Sequence, residues 1–265
     1  MSRTRHVHVC PKVPSPVTAL SFDLAHGHTI PEHVHPEDQL VYASRGVMTV
    51  RTEEGTWVVP AQRAVWIPGG IPHSIVMAGA VSMRTIYLRA RMAPNLPRSC
   101  CVVNVSPLLQ ELILHACRLE KLSRRTSTQA HLIDFLIDQL QMMQTVPLQL
   151  PSPSDPRAAR VAALLQKDPS DTSVLDTVCQ EVGASKRTIE RLFQRETRLT
   201  VGKWRQQLRL LRSLELLAAG AKITHAALEA GYSTPSAFIA MFRKTLGTSP
   251  GRYFESRVTN AGDRV

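Results

Sequence analysis

Two segments near the C-terminus share one plan, and that repetition constrains the fold more than any other feature of the chain. The first runs Leu175-Asp-Thr-Val-Cys-Gln-Glu-Val182, then Gly183-Ala184-Ser185, then Lys186-Arg-Thr-Ile-Glu-Arg-Leu-Phe193. The second runs Ile223-Thr-His-Ala-Ala-Leu-Glu-Ala230, then Gly231-Tyr232-Ser233, then Pro235-Ser-Ala-Phe-Ile-Ala-Met-Phe242. Each predicts a short apolar-periodic helix, a Gly in a tight turn and a second helix. That unit lays its second helix in the DNA major groove. Two of them in one chain predict that two neighbouring groove segments are read without a partner.

Charge follows the same division. Residues 1–155 hold 14 Lys and Arg against 11 Asp and Glu, while residues 156–265 hold 18 against 10, so most of the net +11 lies with the two motifs. A basic segment favours a polyanion, and double-stranded DNA fits best. At 265 residues the chain suits two domains, each able to bury a core. No apolar run of about 18 residues is present, so no membrane partner is expected. The N-terminus does not read as a signal peptide, so a cytoplasmic location is expected. The five Cys are odd in number and form no C-x-x-C pair, which argues against a disulfide framework or a cysteine zinc site. Cys117 and Cys179 read as core residues; the adjacent Cys100 and Cys101 would be redox-active only in an exposed, electropositive setting.

The predicted fold is α+β with two domains. Residues 17–90 alternate short β-branched runs with Gly, Pro and charged turns, which predicts a small antiparallel barrel or sandwich. Amphipathic helices are predicted over Pro107–Leu122 and Gln129–Met143, packed on the barrel and contributing to a homodimer seam. The tract 147–156 has four prolines and predicts an extended linker. This divides the chain into a sensing domain at 1–146, an all-α tandem helix-turn-helix domain at 157–256 and a tail at 257–265. Within the latter, helices are predicted over Arg157–Gln166 and Thr200–Ala219, with Gly220 as a C-cap.

In the first recognition helix Ile189, Leu192 and Phe193 recur at helical spacing and should face inward, leaving Lys186, Arg187, Glu190, Arg191 and Gln194 outward. Arg pairs bidentately with guanine and Glu accepts from cytosine. In the second, Phe238, Met241 and Phe242 face inward and Ser233, Thr234, Ser236, Ala237 and Ala240 face out, with Arg243 and Lys244 near the end. That surface carries few long polar side chains, so weaker base discrimination and more phosphate contact are expected there.

These segments resemble the arabinose-regulator (AraC/XylS) family of bacterial transcription factors over roughly 157–256. The carriers are Gly183-Ala-Ser185 with Arg187-Thr-Ile-Glu-Arg-Leu-Phe193, Arg209, Gly231-Tyr-Ser-Thr-Pro-Ser-Ala-Phe238, Phe242-Arg-Lys and Gly247-Thr-Ser-Pro250-Gly-Arg-Tyr253. The family usually has Gly at the position of Arg198 and Ile-Ala at Ala226-Ala227. The resemblance implies a transcription regulator, activator or repressor, working with RNA polymerase. It implies base contacts from Arg187, Glu190 and Arg191, and phosphate contact from Lys186, with Ser185 and Thr188 also at the DNA.

Residues 17–90 resemble a cupin. Gly27-x5-His33-Val-His35-x3-Gln39-x6-Gly46 matches its first motif with Gln39 for the usual Glu, and Pro68-Gly-Gly70-Ile-Pro-His73 matches its second, with Gln62 for the usual opening Gly. On a strand, the spacing of His33 and His35 turns both to one face. With His73 they would make a three-nitrogen set suited to Zn, Ni, Cu or Fe. The candidate cofactor is therefore a divalent transition metal on His33, His35 and His73, with Gln39 weak or absent as a ligand. The alternative is a vestigial motif whose histidines line a ligand pocket. Gln39, Trp57 and Trp66 are the candidate effector-pocket residues, beside Met48 and Met77.

The effector is expected to be a small molecule or a metal, and the chain is expected not to be an enzyme. Competing readings are a cupin-type metalloenzyme with a DNA-binding tail and a constitutive regulator with a dead pocket. The tract Trp57-Val-Val-Pro60-x2-Arg63-Ala-Val-Trp66-Ile-Pro68 is similar to a subgroup of cupin regulators found beside a transporter they control, which implies regulation of an adjacent efflux gene.

Overall fold

A computed structural model describes residues 15–171 and 174–255. The 257–265 tail, His6, His8 and Cys10 lie outside them, as does Ser173 at the start of the first motif. The chain divides into two compact units, residues 1–52 with 57–147 and residues 53–56 with 148–265.

The first unit is built on strands β1 (Val17–Leu24), β2 (Thr29–His33), β3 (Asp38–Thr52), β4 (Gly55–Pro60), β5 (Arg63–Ile67), β6 (His73–Leu88) and β7 (Cys101–Asn104). There follow α1 (Pro107–Leu119), β8 (Lys121–Leu122), α2 (Ser127–Gln141) and β9 (Thr145–Val146). The main strand order is β8-β1-β6-β3-β5-β7-β9, with β2 added on β6 and β4 on β3. The pairings are antiparallel, as expected, but the expected barrel is corrected to a sheet that does not close. The terminal strands β8 and β9 have two residues each, too few ladder bonds to join the ends.

The pleat assigns the two faces. Leu40, Tyr42, Ala64, Trp66, Ile86 and Leu88 form one cluster with Leu109, Ile113 and Ala116 of α1 and Ile133, Leu136 and Leu140 of α2. Most of the predicted amphipathic stripe is therefore core, although Leu108 at the start of α1 is exposed. Phe135 on α2 and Met142 at its C-cap are 43% and 73% exposed and remain outside that core. Gln39 is buried too, on the opposite face from its neighbour Leu40.

The second unit contains β10 (Gln149–Pro151), α3 (Pro156–Lys167), α4 (Val174–Glu181), α5 (Lys186–Thr197), α6 (Val201–Ala218), α7 (Ile223–Glu229), α8 (Pro235–Leu246) and α9 (Pro250–Glu255). The proline tract is more than a spacer. Leu148 and Leu150 are buried, and the Pro151 carbonyl accepts from Trp204 Nε1 of α6 at 2.8 Å. Pro156 opens α3 at a position where its missing N–H costs nothing.

Both helix-turn-helix turns close alike. Gly183 and Gly231 have φ of +60° and +84°. The amides after them, Ala184 N and Tyr232 N, donate to Cys179 O and Ala227 O five residues back, the bond of a Schellman turn. Ser185 and Thr234 then cap the second helices, accepting from Thr188 N and Ala237 N. The C-cap of α6 is Ala219 rather than the expected Gly220, which follows it with a left-handed φ of +92°.

Gln62 and Arg198, the two residues standing where the resembled families use Gly, also have left-handed backbones, with φ of +63° and +62°. A side chain there costs about 1 kcal/mol. Gln62→Gly and Arg198→Gly should each stabilise their unit by about 0.5–1 kcal/mol. Chemical denaturation checks this, and a loss of stability in both would show that the side chains compensate the strain.

Candidate functional site

In the first unit, His33 ends β2 and pairs in register with His73 at the start of β6. His35 lies beyond β2 rather than on it, so strand alternation does not aim its ring. The connection is held instead by Gly70 N donating to His35 O at 2.8 Å and Gly69 N donating to Asp38 Oδ1 at 2.8 Å. A Cβ on Gly69 would lie 2.2 Å from the Pro36 carbonyl oxygen, which explains the small residue in that loop.

The three rings converge. Their ligand atoms lie within 4.8 Å of one another. Each Nδ1 lies 2.9 Å from a backbone carbonyl, of Pro31, Glu37 and Ile71 respectively. A carbonyl only accepts, so each Nδ1 donates, and in its neutral form each ring turns an Nε2 lone pair toward the others. Burial keeps His35 and His73 neutral, with the pKa of His73 pushed down to about 4. His33 Nε2 is buried and has no hydrogen-bond partner.

Gln39 sharpens this picture. Its Nε2 donates to Thr85 Oγ1 at 2.9 Å, and the Thr85 hydroxyl donates to Leu40 O at 3.1 Å. That chain points Gln39 Oε1 at the Nε2 atoms of both His35 and His73, at 3.1 Å each. Three acceptors then face one another with no proton between them. A cation resolves this clash, and three imidazoles with an amide oxygen suit a divalent transition metal. The backbone carbonyls on Nδ1 act as the outer partners that orient metal-binding histidines. Thr85 and Gly69 were not found from sequence; Thr85 is linked to Gln39 only by strand pairing across 46 positions.

Of the other pocket candidates, Trp57 is buried with its Nε1 unpartnered. Trp66 is corrected: it pairs with Leu40 and points into the helix-covered core, away from Gln39, with Nε1 donating to Pro97 O at 2.8 Å. Met48 and Met77 are buried. Burial pushes the Cys101 thiol up to about 11, the reverse of a reactive cysteine, and Cys100 is buried.

In the second unit Ile189, Leu192, Phe193, Phe238 and Phe242 are buried as expected, whereas Met241 is half-buried. The outward set of α5 is narrower than its spacing suggests. Lys186 pairs with Asp176 of α4, and Glu190 Oε2 accepts from Val201 N at 3.1 Å. Glu190 thus satisfies the start of α6 and is half-buried, a structural role beside its expected base contact. Ser185 and half-buried Thr188 are engaged in the cap. Gln194 is exposed and reaches Arg198 O at 3.4 Å. Arg187 and Arg191, one helical turn apart, are exposed. On α8 and the turn before it, Ser233, Thr234, Ser236, Arg243 and Lys244 are all exposed.

Other carboxylates hold the unit together. Glu196 Oε2 accepts from Ser154 N at 2.9 Å, Ser154 Oγ at 3.2 Å and Asp155 N at 3.0 Å, at the start of α3. These bonds and Arg195 hold its carboxyl below the usual range. A depressed carboxylate stabilises above its unfolded pKa, and that stability is lost as pH falls through the folded value. Glu196→Gln should cost about 1–2 kcal/mol at neutral pH, with the deficit shrinking in acid. Equal deficits at pH 7 and pH 3 in denaturant melts would contradict this origin.

An antiparallel sheet domain with a buried ligand-type cluster, joined to paired helix-turn-helix motifs, defines a ligand-binding DNA-binding regulator. Residues 16–159 match the AraC-like ligand binding domain and residues 178–256 a helix-turn-helix domain. The HTH-type transcriptional regulator NimR of Escherichia coli strain K12 is 35% identical over 237 residues, covering 87% of this chain and 84% of that protein. The virulence regulon transcriptional activator VirF of Yersinia enterocolitica is 22% identical over 236 residues, 85% of this chain and 83% of its own. Among solved structures, ToxT from Vibrio cholerae O395 aligns with a TM-score of 0.39 at 10% identity, covering 94% of this chain and 99% of that one. The chain belongs to the AraC family of helix-turn-helix transcriptional regulators.

Proposed function

We propose that this regulator is metal-linked. A divalent transition metal is held by His33, His35 and His73 with Gln39 Oε1 as a fourth donor, and its ligand state biases DNA binding. The observation that carries this is the set of Nε2 lone pairs and one amide oxygen turned on a common point, with His33 Nε2 buried and unpartnered. When bound, the metal supplies a Lewis-acidic centre for an effector. The protein's own part is to fix the donors: backbone carbonyls set the ring tautomers and Thr85 sets the amide. For switching, an effector must bind two arrangements of the protein unequally.

At the DNA, α5 reads bases chiefly through Arg187 and Arg191, while α8 contacts phosphates through Ser233, Thr234, Ser236, Arg243 and Lys244. The protein acts in the cytoplasm as a homodimer that uses the exposed Phe135 of α2 and Met142 at its C-cap, and it works with RNA polymerase at its promoter. It is not an enzyme; relatives matching most of its length are transcription regulators. The tract from Trp57 to Pro68 supports control of an adjacent transporter gene. An unchanged transporter transcript on deletion would remove that part.

The test is binding of the full chain to its own upstream DNA at several salt concentrations, with and without chelator. The expected result is sequence-dependent affinity that weakens with salt and changes severalfold with chelator. Specific binding indifferent to chelator would leave the regulator and remove the metal.

A further inference from the structure

We propose that the three-histidine site recognises a small monoanion, a carboxylate or its like, which coordinates the bound metal. This rests on the metal reading above and adds the chemical class of the effector. The warrant is a charge count. The donors are three imidazoles and one carboxamide, all neutral. Among the described residues, those three histidines are the only cluster of His, Cys, Asp and Glu placed to hold a metal, so no carboxylate ligates it. An acid close by is Glu37, whose Oε2 is buried, without a hydrogen-bond partner and 3.9 Å from His35 Nδ1. It stands behind His35 and offsets one charge at most. Asp38 is occupied by the Gly69 amide.

A divalent ion there leaves about one positive charge uncompensated beside His35, Gln39, His73 and Thr85, which are 3% exposed or less. An unpaired charge at such a site is costly, and a coordinating anion removes the cost. The usual acidic ligand of the motif would already have supplied that charge. Gln39 in its place keeps the oxygen donor and leaves the charge to the effector. His33, half-buried at the rim, marks the side from which a small ligand reaches the metal.

The experiment loads the full chain with cobalt(II), records its visible ligand-field bands and titrates azide and then acetate. The expected result is a cobalt spectrum that shifts saturably with each anion in the millimolar range or below. Gln39→Glu should weaken anion binding at least tenfold while keeping the cobalt bands. Glu37→Gln should strengthen it severalfold, because the charge to be met rises. Bands that do not move with either anion overturn the anion and leave the metal. A protein with no cobalt bands overturns both. Equal anion affinity in the wild type and the two variants overturns the charge argument even where the anion binds, and the opposed signs keep the test decisive if one variant fails to fold.

Discussion

Arg187→Ala combined with Arg191→Ala should lower affinity for the operator by roughly thirtyfold to twenty-thousandfold, from about 1–3 kcal/mol for each guanine-reading arginine. The expectation comes from what the rest of α5 is doing. Ile189, Leu192 and Phe193 are in the core, Glu190 holds the first amide of α6, Lys186 is paired with Asp176 and Ser185 caps the helix. Gln194 reaches Arg198 O at 3.4 Å, and the two exposed arginines, one turn apart, are the long charged donors left on this face. Quantitative binding to an operator series should show the loss concentrated at two base positions in the α5 half-site. Substitutions in the α8 half-site should cost less. A loss of the same size on unrelated DNA would reassign both arginines to phosphates. Glu190→Ala should instead lower the melting temperature and leave base preference unchanged.

Gly231→Ala should destabilise the second unit by about 2–4 kcal/mol, combining left-handed strain with a clash that has no free direction. Gly231 has φ +84°, and an added Cβ would sit 3.0 Å from Arg209 Nε, Pro169 O and Ser170 Cα. The crowding belongs to a junction. Arg209 donates through Nε and Nη2 to Pro169 O at 3.0 and 2.8 Å, Arg205 Nε donates to the same oxygen at 2.8 Å, and the Arg209 guanidinium lies 5.8 Å over the Tyr232 ring. This ties α6 to the turn after α3 and to the second helix-turn-helix, and so fixes the spacing of the two recognition helices. Specific DNA binding should therefore fall with stability. Gly183→Ala has the same backbone sign, yet its added Cβ would meet nothing within 4 Å, so it should cost only about 1 kcal/mol. Equal melting temperatures for the two variants would dissolve the argument from packing.

The helix-turn-helix half was legible because its signals are local. Glycine before each second helix, Ser185 and Thr234 at the caps and apolar spacing of three and four residues act within one or two turns of chain. Family resemblance added their joint meaning. The N-terminal half was legible only in part. Alternating strands and the three histidines could be read, but closure, and the face to which Trp66 turns, follow from strand register.

What the sequence determined by itself is therefore the set of elements, the buried faces of the recognition helices and the three nitrogens available to a metal. The first two depend on backbone periods of two or 3.6 residues, or on φ angles that one residue dictates, and the three nitrogens on the residue types of the two matched motifs. Only the tertiary structure decided that Glu190 accepts from the start of α6, that Lys186 is paired and that the sheet stays open. It alone turned Gln39 Oε1 toward the histidines through Thr85. Those outcomes depend on which polar group finds its partner from a distant part of the chain, and hydrogen-bond pairing across 11 or 46 positions leaves no periodic trace in the sequence.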